Sequence, residues 1–356
     1  MTAARRVLYS IPNLDTAGSG AAMLAVAAGL DRARHEPTVV VRERRGTGLE
    51  DAVEAAGIEL VEATLTVPAR PYHRLPVRVR RAGRAAPHGF DLWHSFHYLD
   101  DYTEPLVARS AGCRRWLFTK KNMAWDTRAW RLRRRFASGV AVQNPTMLDA
   151  FFPGFPKPIR VVPPGVDADH FAPGDGTAWR RRLGLGDDDV LVTNVAHLLP
   201  NKGQSDLVRA LPDGAHLALA GRPLDEAYAA EVARLASARV HVLGPVDDVV
   251  GLLRASDLFA FASEQEACPV AVIEAMSTGL PVVVTDIAGT RHLVEDGVHG
   301  RRVGRDRLAE ALGGLVVDPD ARRRMGSAGR ARVLAELTVE REVAAYQDLY
   351  DEVLAR

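Results

Sequence analysis

The chain is short of cysteine, of lysine, of charge of one sign and of long apolar runs. Its two cysteines, Cys113 and Cys268, stand isolated in the sequence, which excludes a disulfide framework or a cysteine zinc site and predicts reduced thiols. No stretch approaches the roughly 18 apolar residues of a membrane span. The opening MTAARRVLYSIPNL runs from two arginines into a strand-like segment with neither an apolar core nor a small-residue cleavage site, so a cytoplasmic protein is expected. The 46 basic residues balance 45 acidic ones, which removes any general electrostatic argument for nucleic-acid binding. Only four of the basic residues are lysines, Lys120, Lys121, Lys157 and Lys202; arginine is the default cation. A lysine that survives this bias hints at a place where a compact point charge is wanted rather than a planar fork.

What is present is a folding composition, 47% hydrophobic and 26% charged over 356 residues, long enough for about two domains. Short apolar runs alternate with helical patterns. Arg6–Ser10, Pro37–Val41 and Asp91–His94 read as strands, with helices over Gly20–Leu30 and Leu49–Ala56. The alternation resumes with strands at Val190–Val195, Leu217–Ala220, Val240–Leu243, Leu258–Ala262 and Pro281–Thr285. Helices fall around Ser205–Ala210, Asp225–Ser237, Val249–Ala255 and Val270–Ser277. Such order predicts an α/β chain with two doubly wound, Rossmann-like parallel sheets covered on both faces. Prolines and glycines cluster in VVPPGVDADHFAPGDG, Val161–Gly176, so the expected organisation is a first domain over 1–165 and a second over 166–338. A final helix, 339–356, carries a stripe of Val343, Tyr346, Leu349, Tyr350 and Val353 and is expected to pack back on the first domain.

The most specific segment is FASEQEACPVAVIEAMSTGLPVVVTDIAGT, Phe261–Thr290, in which Glu266 and Glu274 flank a helix start just after an apolar strand. Pro269 suits a first helical position and Cys268 the cap before it. A helix N-terminus offers free N–H groups and partial positive charge, so a diphosphate can lie between Glu266 and the first turn. The plainer reading is two solvated glutamates beside an amphipathic helix.

The neighbours decide between them. The segment resembles the E-x7-E region of the retaining glycosyltransferases of family 4, whose two Rossmann-like domains face a central cleft in the GT-B architecture. VVPPGVDADHFAP, VTNVAHLLPNKG, ALAGRPL, VHVLGPVDDVVGLLRASDLFAFAS and GLPVVVTDIAGTRHLVEDGVHG resemble further parts of that family in order, over about 140 residues. In the first half PNLDTAGSGAAM, Pro12–Met23, resembles the glycine-rich turn that begins the first helix, with Gly18 and Gly20 as its glycines; DLWHSFH resembles the strand ending near the acceptor.

The resemblance implies that Glu274 holds the ribose hydroxyls of a nucleotide sugar and Glu266 lies beside the transferred sugar. Ala267 and Cys268 would offer backbone N–H groups to the diphosphate, Lys202 would neutralise it, and Gly244, Pro245 and Val246 would read the nucleobase. A cation and helix N–H groups aimed at a departing diphosphate lower the barrier without a metal. No Asp-x-Asp pair stands at a strand end near the site, so neither metal nor cofactor is expected. Two departures stand out. Ala196-His197 replaces the family's usual Gly-Arg, leaving a histidine that near neutral pH is only partly charged. WLFTKKNMAW carries Thr119 and Lys121 where a T-x-H segment is usual, so His97 is the candidate acceptor-side catalytic residue, against a plainer structural reading.

Two arginine-rich stretches, PARPYHRLPVRVRRAGR (Pro68–Arg84) and RAWRLRRRF (Arg128–Phe136), interleave eleven arginines with Tyr72, Leu75, Val77, Val79, Trp130, Leu132 and Phe136. They suit an anionic membrane surface or an anionic acceptor, or else a solvated face with buried apolar partners. The function implied is retaining, metal-independent transfer of a sugar from a nucleotide-diphosphate sugar to an unknown acceptor, a glycan, lipid or small molecule. The alternatives are a non-catalytic nucleotide-sugar-binding module or a GT-B epimerase or phosphorylase; a phosphorylase would need a lysine for pyridoxal phosphate, for which Lys202 is poorly suited.

Overall fold

The computed structural model describes residues 4–14, 17–97, 101–124 and 126–356. The chain divides into two compact units: Met1–Pro164 together with Val339–Arg356, and Gly165–Thr338.

Unit 1 holds seven strands, β1 (Arg5–Ile11), β2 (His35–Val41), β3 (Glu59–Glu62), β4 (Leu92–Ser95), β5 (Trp116–Lys120), β6 (Gly139–Val142) and β7 (Ile159–Val161). They form one sheet in the order β3-β2-β1-β4-β5-β6-β7, every pair parallel. Parallel pairing requires crossover helices that cover both faces, which is why β1, β2, β4 and β5 are almost continuously buried rather than alternating.

The last helix, Val339–Leu354, buries its whole stripe in this unit, in one core with Val7, Tyr9, Ile11, Val41, Leu92 and Leu117. Burying Val343, Leu349 and Val353 contributes about 1.5–3 kcal/mol each. The two tyrosines bring hydroxyls into that core, where an unpaired polar group is costly. They are paired in a chain: Tyr9 Oη to Tyr350 Oη at 2.9 Å, Tyr350 Oη to His94 Nδ1 at 2.6 Å, His94 Nε2 to Thr119 Oγ1 at 2.8 Å and Thr119 Oγ1 to Tyr346 Oη at 2.9 Å.

Unit 2 holds β8 (Val190–Val195), β9 (Ala215–Ala220), β10 (Val240–Gly244), β11 (Leu258–Phe261), β12 (Val282–Thr285) and β13 (Gly300–Val303), in the all-parallel order β10-β9-β8-β11-β12-β13. Each unit therefore repeats the 3-2-1-4-5-6 winding of a Rossmann-like sheet, with one strand added in unit 1. Strand order reverses at β1/β4 and at β8/β11. In open α/β sheets ligands bind outside the carboxyl ends of the strands at such a reversal.

β3, β5, β6, β7 and β13 are not among the strands predicted from sequence. β7 is three residues long, and the alternating charge of β3, Glu-Leu-Val-Glu, resembles a loop more than a strand.

Candidate active site

In unit 2 the two loops at the strand-order reversal are locked to each other. After β8 the chain makes a 3-10 turn over Pro200–Lys202 and reaches Gly203 at φ +69°, where a Cβ would stand 2.4 Å from the Ala262 carbonyl oxygen. Only glycine lets this loop come so close to the end of β11. The approach is fastened by Asn201, whose carbonyl accepts from Glu264 N at 2.9 Å and Ser263 Oγ at 3.0 Å. Lys202 Nζ thereby forms an ion pair with Glu266 Oε1, which also accepts from Ser263 Oγ at 3.2 Å. Both side chains of the pair stay about 20% exposed, so the pair is open to a ligand.

Ala267 and Cys268 follow, both buried, and Cys268 Sγ lies 3.6 Å from His292 Nε2. The helix then begins at Val270, one residue later than expected. Pro269, with an extended ψ of 105°, occupies the flanking position assigned to Cys268, and no side chain caps the helix. The Pro269 carbonyl accepts from Val272 N at 3.1 Å, which closes the first turn while no side chain caps its other N–H groups. Glu274, in the middle of this helix, is half-buried. Among the described residues its carboxylate has no hydrogen-bond or ion-pair partner, and burial pushes it up to about 7.

At the end of β10, Gly244 takes φ +69° with open space around its Cα, and its carbonyl accepts from Gly221 N at 2.8 Å. Pro245 is exposed and Val246 packs against the group around Trp179 and Leu185. His197 follows β8; its carbonyl accepts from Gln204 Nε2 at 2.9 Å. Burial lowers its pKa, and Lys202 and Arg222 add to the shift. The shift leaves His197 less charged near neutral pH than an ordinary histidine, in the sense expected of it. All these residues lie at or beyond the carboxyl ends of β8, β10 and β11, at one edge of one sheet.

Unit 1 is less direct. Gly18 and Gly20 lie inside the helix Ala17–Gly29 and neither has a positive φ, so they do not make the expected turn. At Gly18 a Cβ would meet nothing, whereas at Gly20 it would lie 3.1 Å from Leu49 Cδ1. Asp15 and Thr16 of that segment, Tyr98 at the end of DLWHSFHY, Trp125 at the end of WLFTKKNMAW, and Met1–Ala3 lie outside the described residues.

His97 follows β4 and is 5% exposed. Burial lowers its pKa, partly offset by Glu104. Its neighbours form a fully buried ion pair that sequence reasoning missed. Arg133 donates to Glu104 Oε2 at 3.1 Å, to Ser95 Oγ at 2.7 Å and to the Asp101 carbonyl at 3.0 Å, and its guanidinium stacks over Trp116, Phe118 and Trp130. Glu104 also accepts from Trp93 Nε1, Ser95 Oγ and Ser10 Oγ. Burial alone would raise Glu104, but Arg133, His97 and the serine hydroxyls outweigh it and hold the carboxyl below its usual range. Arg133 therefore does not belong to the surface face into which its stretch was read. Trp130 three residues earlier shares its helical face, and that spacing was the available signal.

Lys121, just past β5, is set against the Phe96 ring at 4.1 Å and 3.5 Å from the Ser19 carbonyl. Burial lowers it to about 7 against the pull of Glu342. Lys120 is buried over Phe151 and Trp130, donates to the Ala124 carbonyl at 2.8 Å, and is lowered by burial to about 8.

Comparison with known proteins follows the same division. Residues 16–170 match the family described as Glycosyltransferase Family 4, and residues 175–332 match Glycosyl transferases group 1. The D-inositol 3-phosphate glycosyltransferase of Geodermatophilus obscurus is 35% identical over 228 residues, which is 56% of this chain and 49% of the relative. The GDP-mannose-dependent monoacylated alpha-(1-6)-phosphatidylinositol monomannoside mannosyltransferase of Corynebacterium glutamicum is 34% identical over 207 residues, 50% of this chain and 52% of that one. The matched part thus spans about half the length of these curated relatives. Among solved structures, Anabaena HepE in complex with UDP shares the fold with a TM-score of 0.82 at 20% identity, covering 97% of this chain and 99% of that one.

Proposed function

Because the chain belongs to the glycosyltransferases of group 1 and family 4 and has their GT-B fold, we propose that it moves a sugar from a nucleoside-diphosphate sugar to a hydroxyl-bearing acceptor, with retention and without a metal. The observation that carries the reading is Glu274: a half-buried, unpartnered carboxylate on the helix that follows the Lys202–Glu266 pair. Burying such a group is costly unless a ligand completes it, and two ribose hydroxyls would do so.

In this reading the diphosphate lies over Ala267 and Cys268 at the start of the helix Val270–Ser277, where N–H groups and the helix dipole favour negative charge. Lys202 leaves Glu266 for the diphosphate, which frees Glu266 to hold hydroxyls of the sugar. Gly244, Pro245 and Val246 offer backbone groups to the base, and His197 gains a proton as the anion arrives. As the bond from the anomeric carbon to phosphate oxygen breaks, its electron pair passes to the diphosphate, where Lys202 meets the growing charge. The acceptor oxygen bonds to the same face of that carbon, and its proton goes to the departing phosphate. On unit 1 the half-buried Lys121 suits an acceptor-side role better than the buried His97.

The test is a panel of uridine, guanosine and adenosine diphosphate sugars, with and without acceptors. HepE was crystallised with UDP, and the curated relatives are named for inositol phosphate and phosphatidylinositol mannoside, so these are the first donor and acceptors to try. Transfer that survives EDTA and preserves the anomeric coupling constant in the product is expected. Donor binding without any turnover across the panel would leave a non-catalytic binding module.

A further inference from the structure

The amino ends of β5, β6 and β7, at the end of the unit 1 sheet away from Lys121, gather six cations. Arg114 and Arg115 immediately precede β5, and Arg109 lies in the last turn of the helix Glu104–Ser110. Arg134 and Arg135 lie in the last turn of the helix Arg128–Phe136, and Lys157 stands two residues before β7. Among the described residues none of the six has a carboxylate ion-pair partner, although the chain as a whole is balanced in charge.

Backbone carbonyls hold several of these groups in place. Lys157 Nζ donates to the Arg135 and Ala137 carbonyls, Arg134 donates to the Phe151 carbonyl, and Ser138 Oγ donates to the Arg114 carbonyl. Lys157 and Arg134 thus offer fixed heads rather than swinging ones, and Ala137–Ser138 joins two hollows into one surface. The first hollow sets Arg134, Arg135 and Lys157 around Pro153, Phe155 and Pro156. The second is lined by Arg109, Arg114, Arg115 and Ser138. Their cavity volumes, about 280 and 390 Å³, lie at the lower end of the roughly 300–1,000 Å³ of small-molecule sites.

We propose that this end of unit 1 is a second anion site, separate from the donor residues, which takes a phosphate monoester bearing a small apolar group. Guanidinium forks match phosphate oxygens bidentately, and the carbonyl-held ammonium of Lys157 adds a compact charge. The ring of Phe155 and the two prolines give the apolar part of the ester a floor. The concave shape favours a discrete ligand over a flat membrane face.

The shared chemistry can come from a soluble ester or from the headgroup of a phosphatidic acid, and calorimetry at low salt separates these. Phenyl phosphate, inorganic phosphate and dihexanoyl phosphatidic acid below its micelle concentration are titrated into the full chain. Phenyl phosphate is expected to saturate and to bind at least threefold tighter than inorganic phosphate. The Arg114→Ser/Arg135→Ser variant, at two exposed positions, should weaken it at least tenfold, while Lys202→Ala changes it less than twofold. Tighter binding of the short-chain phosphatidic acid identifies a lipid headgroup as the source; weaker binding identifies a soluble ester. Absence of saturable binding by both esters overturns the proposal. So does binding that Lys202→Ala abolishes and the double arginine variant leaves intact.

Discussion

Two cation–carboxylate pairs stand just beyond the reversal strands of the two sheets, and they differ in completeness. Arg133–Glu104 in unit 1 is fully buried on both sides, and serine hydroxyls, an indole N–H and a backbone carbonyl take up most of its hydrogen-bonding capacity, while aromatic rings cover the guanidinium. Lys202–Glu266 in unit 2 is a fifth exposed, has one further hydroxyl contact, and precedes a carboxylate, Glu274, that has none. A fully buried pair with most of its capacity taken has little to offer a substrate; a partly exposed pair beside an unpartnered acid has more. Exposure together with a thin hydrogen-bond shell separates the pair a ligand can reach from the structural one.

The largest effect comes from breaking the buried pair. Glu104→Gln leaves Arg133 buried without its counter-charge, and removing one partner of such a pair costs about 3–5 kcal/mol. Urea unfolding should show that loss, whereas Lys202→Ala, at an exposed pair, should change stability by less than about 1 kcal/mol. A comparable loss in both variants would erase the distinction.

Turnover should respond in the opposite sense. Lys202→Ala is expected to lower kcat by roughly 10²-fold, the usual result of removing one preorganised electrostatic group. Lys202→Arg should also lose much of it, because the longer planar head misplaces the charge at a loop fixed by Gly203. Turnover within a few fold of the parent in either variant would remove Lys202 from the phosphate role.

These residues differ in how far the sequence reveals them. The nearness of Lys202 to Glu266 was legible because an ordered set of family-like segments carries them, and the doubly wound class followed from strand–helix alternation although β3, β5, β6, β7 and β13 were not seen. Arg133 and Glu104 were not, because their partnership depends on which face of the helix Arg128–Phe136 turns inward, and five arginines in nine residues read as solvent-facing. The lowered pKa of His197 was equally hidden, since desolvation and the neighbouring Lys202 set it. The four lysines were a usable hint. Lys120, Lys121 and Lys157 all have pKa values lowered by burial, and a buried cation that can shed its proton is tolerated where arginine, which cannot, is not.

Glu274 sharpens the comparison through pH. Its folded pKa, about 7, lies above the model-peptide value of 4.5, so its contribution favours folding only at low pH and is lost as pH rises from 4.5 through 7. Glu274→Gln should therefore raise stability at pH 8, by on the order of 1–3 kcal/mol, and flatten that fall. Donor affinity should drop at least about tenfold in the same variant, since ribose hydroxyls bind the carboxylate more strongly than an amide. In the parent, hydroxyl donors favour the ionised form, so Glu274 should give up a proton on donor binding, against the one His197 takes up. The difference between parent and Glu274→Gln, by calorimetry in two buffers of different ionisation heat, measures the Glu274 proton. A stable variant with unchanged donor affinity would place Glu274 outside the site.

The smallest effect concerns the arginine stretches, which the structure divides. Arg133 is core and Arg134 holds a carbonyl, so the second stretch is largely spoken for. The first forms a turn and an exposed helix, Leu75–Ala85, where Tyr72 and Val77 are 61% and 69% exposed among Arg74, Arg80, Arg81 and Arg84. Each arginine near an anionic surface contributes on the order of 1 kcal/mol, and two exposed apolar side chains add a shallow anchor. Salt-sensitive co-sedimentation with anionic vesicles is expected. It should weaken in Arg81→Ser/Arg84→Ser and in Tyr72→Ser/Val77→Ser, and persist in Arg114→Ser/Arg135→Ser. Failure to sediment at low salt would return this helix to plain solvent exposure, and equal sensitivity of all three variants would mean that net charge rather than this face drives attachment.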